Sequence, residues 1–291
     1  MRLKNIKLKV LISAVFFVSM ALSSGALWVD KPISTTSILF DVSAFDHNNI
    51  FAVGENGLVY KTSNNGSSWQ TIATGTTDAF TKVKSYGEND AFVLSRNLPF
   101  NMAVGSRLLY KSNSGVFSIN KDYSSVFDEI YSMTSSGETL LLVGEGPTYN
   151  YAKSTDLGNT WTEKTINASS IIINDSFIVD ENTEWLLLPI TSLLALSVFH
   201  TTNAGSVWEQ STLYFSEANT RSSCFGYGQN YLWIVGIFGR LIKTSDGGKT
   251  WSDYNINYGQ SYLYEAAFIN EKVGWAVSGI KDLPSSFSIN S

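Results

Sequence analysis

The chain has one cysteine and two histidines in 291 residues, and only four arginines after its first 26 residues are set aside. One cysteine cannot close an internal disulfide, so Cys224, within Ser-Ser-Cys-Phe-Gly, reads as a small buried hydrophobe. Two isolated histidines leave no cluster for zinc and no base for a Ser-His-Asp or Cys-His nucleophile. His47 falls in the polar turn Phe45-Asp46-His47-Asn48-Asn49, and His200 stands where Lys61, Lys153 and Lys243 stand in related phrases, so both read as surface residues. No metal and no cofactor is called for.

Charge of one sign is also short. The chain carries 20 basic and 25 acidic residues for a net −5; residues 1–26 hold four of the basic ones and no acid, leaving 16 against 25, or −9. Without clustered Lys and Arg there is no electrostatic footprint for a nucleic acid.

The first residues differ from the rest. Arg2, Lys4, Lys7 and Lys9 precede the apolar run Val10–Leu22, and Ser24 and Ala26 form a small-x-small pair. That order is a cleavable secretory signal, which makes residues 27–291 an exported chain, periplasmic or extracellular. The apolar run is too short for the roughly 20 residues of a membrane span. A second run, Trp185–Phe199, is broken by Pro189, Thr191 and Ser192 and reads as buried strands.

One phrase recurs: Lys61-Thr-Ser-Asn-Asn-Gly-Ser-Ser-Trp69, Lys153-Ser-Thr-Asp-Leu-Gly-Asn-Thr-Trp161, His200-Thr-Thr-Asn-Ala-Gly-Ser-Val-Trp208 and Lys243-Thr-Ser-Asp-Gly-Gly-Lys-Thr-Trp251. A degenerate copy ends at Phe117, and successive final aromatics lie 48, 44, 47 and 43 residues apart. That period suits a four-stranded blade repeated about an axis. Apolar runs of five to eight residues between polar or glycine-rich turns leave no room for helices, so the fold class is all-β. Blades are expected near 36–75, 78–121, 126–167, 169–213, 219–257 and 262–291, the last incomplete, in a single propeller domain. Either the final Ser-Phe-Ser-Ile-Asn completes the ring with the N-terminal segment, or the ring is shorter.

Within the phrase, the acid or amide can accept from its own turn, glycine can take positive φ, and the tryptophan can wedge between blades. Thr62, Ser154, Thr201 and Thr244 add a hydroxyl at the strand end. Calcium is the rival role for Asp156 and Asp246; replacement by Asn64 and Asn203 in the other copies favours turn bracing. The bracing set is Asn64, Gly66 and Trp69; Asp156, Gly158 and Trp161; Asn203, Gly205 and Trp208; and Asp246, Gly248 and Trp251.

These copies resemble the Asp box, or BNR repeat, of sialidases and sortilin-type receptors. Residues 51–69 and 234–251, with the Ala-Val-Gly type of second strand, are most similar to the photosystem II assembly and stability factor propellers. The resemblance spans roughly residues 36–280 and departs from the pattern in the second repeat, at Val207, and in the sixth. It implies a β-propeller that holds a protein client on an arginine-bearing face. By topology Arg96, Arg107, Arg221 and Arg240 all fall at the strand ends opposite the repeated phrase, which makes them the expected partner-binding residues, since guanidinium forks suit carboxylates and peptides. The expected function is therefore a non-catalytic scaffold or assembly factor. A sialidase is the alternative and would need three arginines over a Tyr-Glu pair. A carbohydrate-binding propeller would use aromatics such as Tyr149 and Phe238.

Overall fold

A computed structural model describes residues 29–291 apart from 97–105, 148–149, 167–171, 191–194, 215–222, 237–238, 256–262, 279–285 and 291. The leader expected at residues 1–26 lies outside the described residues. Among those described there is no α-helix and no helix able to cross a membrane. The described residues fall into two compact units, those up to Asp122 and those from Tyr123 onwards.

The first unit contains two antiparallel meanders. One is β1 (Leu39–Ala44), β2 (Ile50–Gly54), β3 (Val59–Thr62) and β4 (Gln70–Ile72); the other is β5 (Ala79–Ser85), β6 (Ala91–Arg96), β7 (Ser106–Asn113) and β8 (Val116–Asp122). The second unit contains four. The third sheet of the chain is β9 (Glu129–Ser136), β10 (Thr139–Glu145), β11 (Tyr151–Ser154) and β12 (Thr162–Lys164), and the fourth is β13 (Asp175–Ile178), β14 (Glu184–Ile190), β15 (Ala195–Thr201) and β16 (Glu209–Tyr214). The fifth is β17 (Ser223–Tyr227), β18 (Tyr231–Val235), β19 (Arg240–Thr244) and β20 (Ser252–Asn255). The sixth has three strands, β21 (Leu263–Phe268), β22 (Val273–Ser278) and β23 (Ser286–Asn290). These are propeller blades, with the last one incomplete. The final Ser-Phe-Ser-Ile-Asn is the third strand of the sixth blade, paired antiparallel to β22.

Sequence and burial agree strand by strand. Second strands are covered on both faces, so they are continuously apolar: every residue of Ile50–Gly54 is buried, as are Trp185–Leu188. Fourth strands lie at the blade edge and are polar, as in Thr162-Glu163-Lys164. The described residues of the apolar run at 185–199 belong to β14 and β15.

The core is divided into wedges between consecutive sheets. Phe51, Val53 and Val59 meet Phe80, Val83 and Val93 in the first unit. In the second unit, Leu141 and Tyr151 meet Leu186 and Phe199, Trp185 and Val198 meet Leu232 and Ile242, and Trp233 meets Phe268 and Ala276. First strands of neighbouring sheets are also joined by polar side chains. Asp41 Oδ2 accepts from the Val83 amide at 2.9 Å, Ser132 and Ser176 hydroxyls lie 3.2 Å apart, Asp175 Oδ2 accepts from the Cys224 amide at 2.9 Å, and Ser223 Oγ donates to Glu265 at 2.8 Å.

Glycines closing two second strands explain the recurring Val-Gly. A Cβ on Gly54 would stand 2.1 Å from the Ile38 carbonyl oxygen, and one on Gly144 2.0 Å from that of Glu129. The obstacle is backbone, which cannot swing aside. Gly144→Ala should therefore lose about 1–3 kcal/mol by forcing β9 away from β10. Chemical denaturation would measure it, and an unchanged midpoint would contradict this account of the close approach.

Candidate functional site

The repeated phrase folds the same way in four sheets. At the end of each third strand a hydroxyl accepts from the glycine amide four residues on: Gly66 to Thr62 at 2.9 Å, Gly158 to Ser154 at 2.8 Å, Gly205 to Thr201 at 3.1 Å and Gly248 to Thr244 at 2.9 Å. The same hydroxyl donates to Asn64, Asp156, Asn203 or Asp246 at 2.8–2.9 Å. The second acceptance is from the amide preceding the tryptophan, at 2.8–2.9 Å in every copy. Where that residue is Thr160 or Thr250, its hydroxyl also donates to the carboxylate. Val207 keeps the amide bond and forfeits the hydroxyl one.

Two successive residues in each turn take positive φ: Asn65 and Gly66, Leu157 and Gly158, Ala204 and Gly205, Gly247 and Gly248. At Leu157 and Ala204 the first of the pair escapes sequence inspection, because leucine and alanine do not announce a left-handed backbone. Behind the turn, the Trp161 and Trp251 indoles donate to the glycine carbonyls of Gly158 and Gly248 at 3.1 and 3.0 Å. Trp208 and Trp251 pack into the wedge shared with the preceding sheet, whereas the Trp69 indole nitrogen is buried without a hydrogen-bond partner.

The lysine that opens the phrase reaches into the next sheet. Lys61 binds the Asn89 side chain, Lys153 binds Glu184 and donates to the Glu181 carbonyl at 2.7 Å, and Lys243 donates to the Glu271 carbonyl at 3.1 Å while lying over Trp233. Glu184 is fully buried and also accepts from Tyr151 at 2.7 Å, a hydrogen bond that, with burial as the main cause, drives that phenol far above its usual range. His200 occupies this inter-sheet position in the fourth sheet and is only 6% exposed. The surface reading of His200 is therefore wrong: the position looks hydrophilic by residue type, but the next sheet covers it. His47 is exposed, and Cys224 is buried, with its thiol held well above its ordinary pKa by desolvation.

The described arginines, Arg96, Arg107 and Arg240, lie at the strand ends away from these turns. Arg96 ends β6, opposite Ala79 and Ser106, and Arg107 follows at the start of β7, both half-buried. Arg240 opens β19, opposite Asn255, and forms an ion pair with Asp253 on β20. Arg221, Tyr149 and Phe238 lie outside the described residues. At the same end of the third sheet, sequence inspection missed a pairing: Tyr131 on β9 donates to Glu145, the last residue of β10, at 2.8 Å. Burial first, then Glu145 and its neighbours Glu129 and Asp128, raises the Tyr131 pKa above the usual phenol range. Among the described residues no group of His, Cys, Asp and Glu is arranged to hold a metal.

No protein-family model matches the chain, and neither does any curated protein. Solved structures do. YCF48 bound to D1 peptide matches with a TM-score of 0.54 at 16% identity, covering 91% of this chain and 98% of that one. The chain is a β-propeller. A streptogramin B lyase matches at 0.61 and 12% identity over 89% of this chain and 85% of that one. The GH74 xyloglucanase from Xanthomonas campestris matches at 0.61 and 9% identity over 85% of this chain and 46% of that one. The propeller therefore has likenesses among both a peptide-bound protein and enzymes.

The repeated turns carry an acid dependence. Hydrogen bonds from the Thr160 amide and hydroxyl pull the Asp156 carboxyl down to about 2, and those from the Thr250 hydroxyl and amide do the same for Asp246. Folded values below the ordinary carboxylate value of about 3.9 mean stability that is complete above it and lost as pH falls towards about 2. The double variant Asp156→Asn, Asp246→Asn should match the parent in thermal unfolding near neutrality, because Asn64 and Asn203 already serve in this place. It should lose less on acidification. An equal loss would remove these two carboxylates from the cause.

Proposed function

We propose that the chain is an exported, non-catalytic propeller that binds a protein or peptide partner at the strand ends opposite its repeated turns. The observation that carries this reading is the match to a peptide-bound propeller over 98% of that protein's length. The chemistry agrees with it. Arg96 and Arg107 flank one connection, where guanidinium groups suit a peptide's carboxylate or carbonyl groups, and Arg240, held by Asp253, stands at the corresponding end of the fifth sheet. The exported location rests on the pattern of residues 1–26; sequencing the N-terminus of the mature protein should return Leu27, and retention of Met1 would count against export.

A sialidase-type hydrolase is the second reading, favoured by the Tyr131–Glu145 hydrogen bond. A nucleophilic phenol needs its proton removed, yet burial and three nearby acids hold this one on more tightly. Such an enzyme also needs arginines over the pair, and Arg240 is engaged by Asp253. The environment thus suits a structural hydrogen bond better than a nucleophile.

Immobilised protein should capture a partner from the exported proteome of its host. Arg96→Glu with Arg107→Glu should weaken capture by about tenfold or more, the cost of losing a charge-assisted hydrogen bond. Full retention by the reversed variant would dismiss this end of the sheets as the binding site. A fluorogenic sialoside should remain intact at high protein concentration, and turnover abolished by Tyr131→Phe would instead establish the hydrolase.

A further inference from the structure

His200 breaks the rule that the other repeated phrases follow. In those, a lysine spans the seam to the next sheet. Between the fourth and fifth sheets the spanning group is an imidazole, which changes charge in the pH range of cells and their compartments. We propose that His200 makes this seam the acid-sensitive joint of the four-sheet unit.

The geometry decides what protonation does. The His200 ring stacks on Trp185, with centroids 3.7 Å apart and planes 13° from parallel, and it is 6% exposed. A Cβ on Gly247, in the turn of the fifth sheet, would stand 3.5 Å from His200 Cε1 and 3.6 Å from Nδ1, so the ring lies against the neighbouring sheet's backbone. Nε2 has no hydrogen-bond partner, and the Trp185 indole nitrogen beside it has none either. A second proton would therefore place a full charge in a seam from which the ring is almost wholly closed to solvent.

The surrounding charges do not reverse this. Glu209 faces the ring from β16, directly across the ladder from His200, and favours the cation. The backbone of Gly247 also favours it, as does that of Gln229 in the turn between β17 and β18, where Asn230 too is uncharged. Asp246, in the turn that carries Gly247, spends its carboxylate on Thr244 and Thr250. Glu184 of β14 is bound to Tyr151 and Lys153. Stacking on the indole also favours the cation, but desolvation is the largest influence and holds the imidazole below its ordinary value. A lowered folded value means that the seam is fully stabilised above about pH 6.5, the unfolded value, and weakens as pH falls towards the folded one.

Two measurements on the full chain test this. The protein has only two histidines, so their ring signals can be assigned in an NMR titration by comparison with the His200→Gln variant. The His200 midpoint should lie below the ordinary imidazole value of about 6.5, and a midpoint at or above that value overturns the proposal. Hydrogen exchange at about pH 7.5 and about pH 5.5, corrected for intrinsic rates, should show protection lost from β15 and from β17 to β19 while β9 to β11 keep theirs. His200→Lys, which restores the residue used at the other seams, should abolish that loss, and His200→Gln should do so if the lysine variant fails to fold. Loss spread evenly over the sheets, or unchanged in the variants, refutes the joint.

Discussion

The buried hydroxyl at the end of the third strand sets the conditions for the rest of each complete repeat. Thr62, Ser154, Thr201 and Thr244 are each at most 2% exposed, and each uses both donor and acceptor capacity within its own turn. Once the hydroxyl is committed, the chain must pass through two left-handed residues before the acid or amide can cap it. That path brings glycine backbone to the surface of the turn. A neighbouring side chain can then approach closely: Lys31 lies against Gly66, and Ser211 of β16 donates to the Gly248 carbonyl at 2.6 Å. Local turn chemistry and packing between sheets are thus one constraint.

The seams show the other half of that constraint. Apolar wedges alone would let two sheets slide, since dispersion and hydrophobic burial have little directional preference. Side chains with fixed partners remove that freedom: the lysines and His200 at one end of the strands, and Asp41, Asp175, Ser132 and Ser223 on the first strands. Glu184 is the most committed of these, a carboxylate without solvent that depends on Lys153 and Tyr151 together. Removing one partner would leave a buried charge uncompensated, and that asymmetry selects a single alignment of the third and fourth sheets.

What could be read from sequence follows from the range of each interaction. The blade pattern was legible because hydroxyl, acid, glycine and tryptophan all act within nine residues, and period and strand alternation repeat that signal along the chain. His200 and the opening lysines were not legible. Their partners stand about 28 residues away, in a turn of the next sheet, and residue type alone marks them as solvated. Leu157 and Ala204 were missed for a different reason, since the backbone there is dictated by hydrogen bonds around them rather than by preferences of their own. The Tyr131–Glu145 pair joins residues 14 apart on adjacent strands, and no repeat of it elsewhere made it conspicuous.

This division of labour also narrows where recognition can be placed. At the turn end, the hydroxyl, the acid or amide and the glycine amide of the phrase are consumed by the turn itself and the opening lysine by the adjoining sheet, so a ligand there would compete with the bonds that hold the blade. At the opposite end the connections between second and third strands differ in length: nine residues, 97–105, separate Arg96 from Ser106, and four separate Gly54 from Val59. Connections free of a common structural duty can differ between blades without cost to the fold. Arg96, Arg107 and Arg240 stand at those connections, in the part of the repeat where sequence can specialise while the braced turns keep the blades in register.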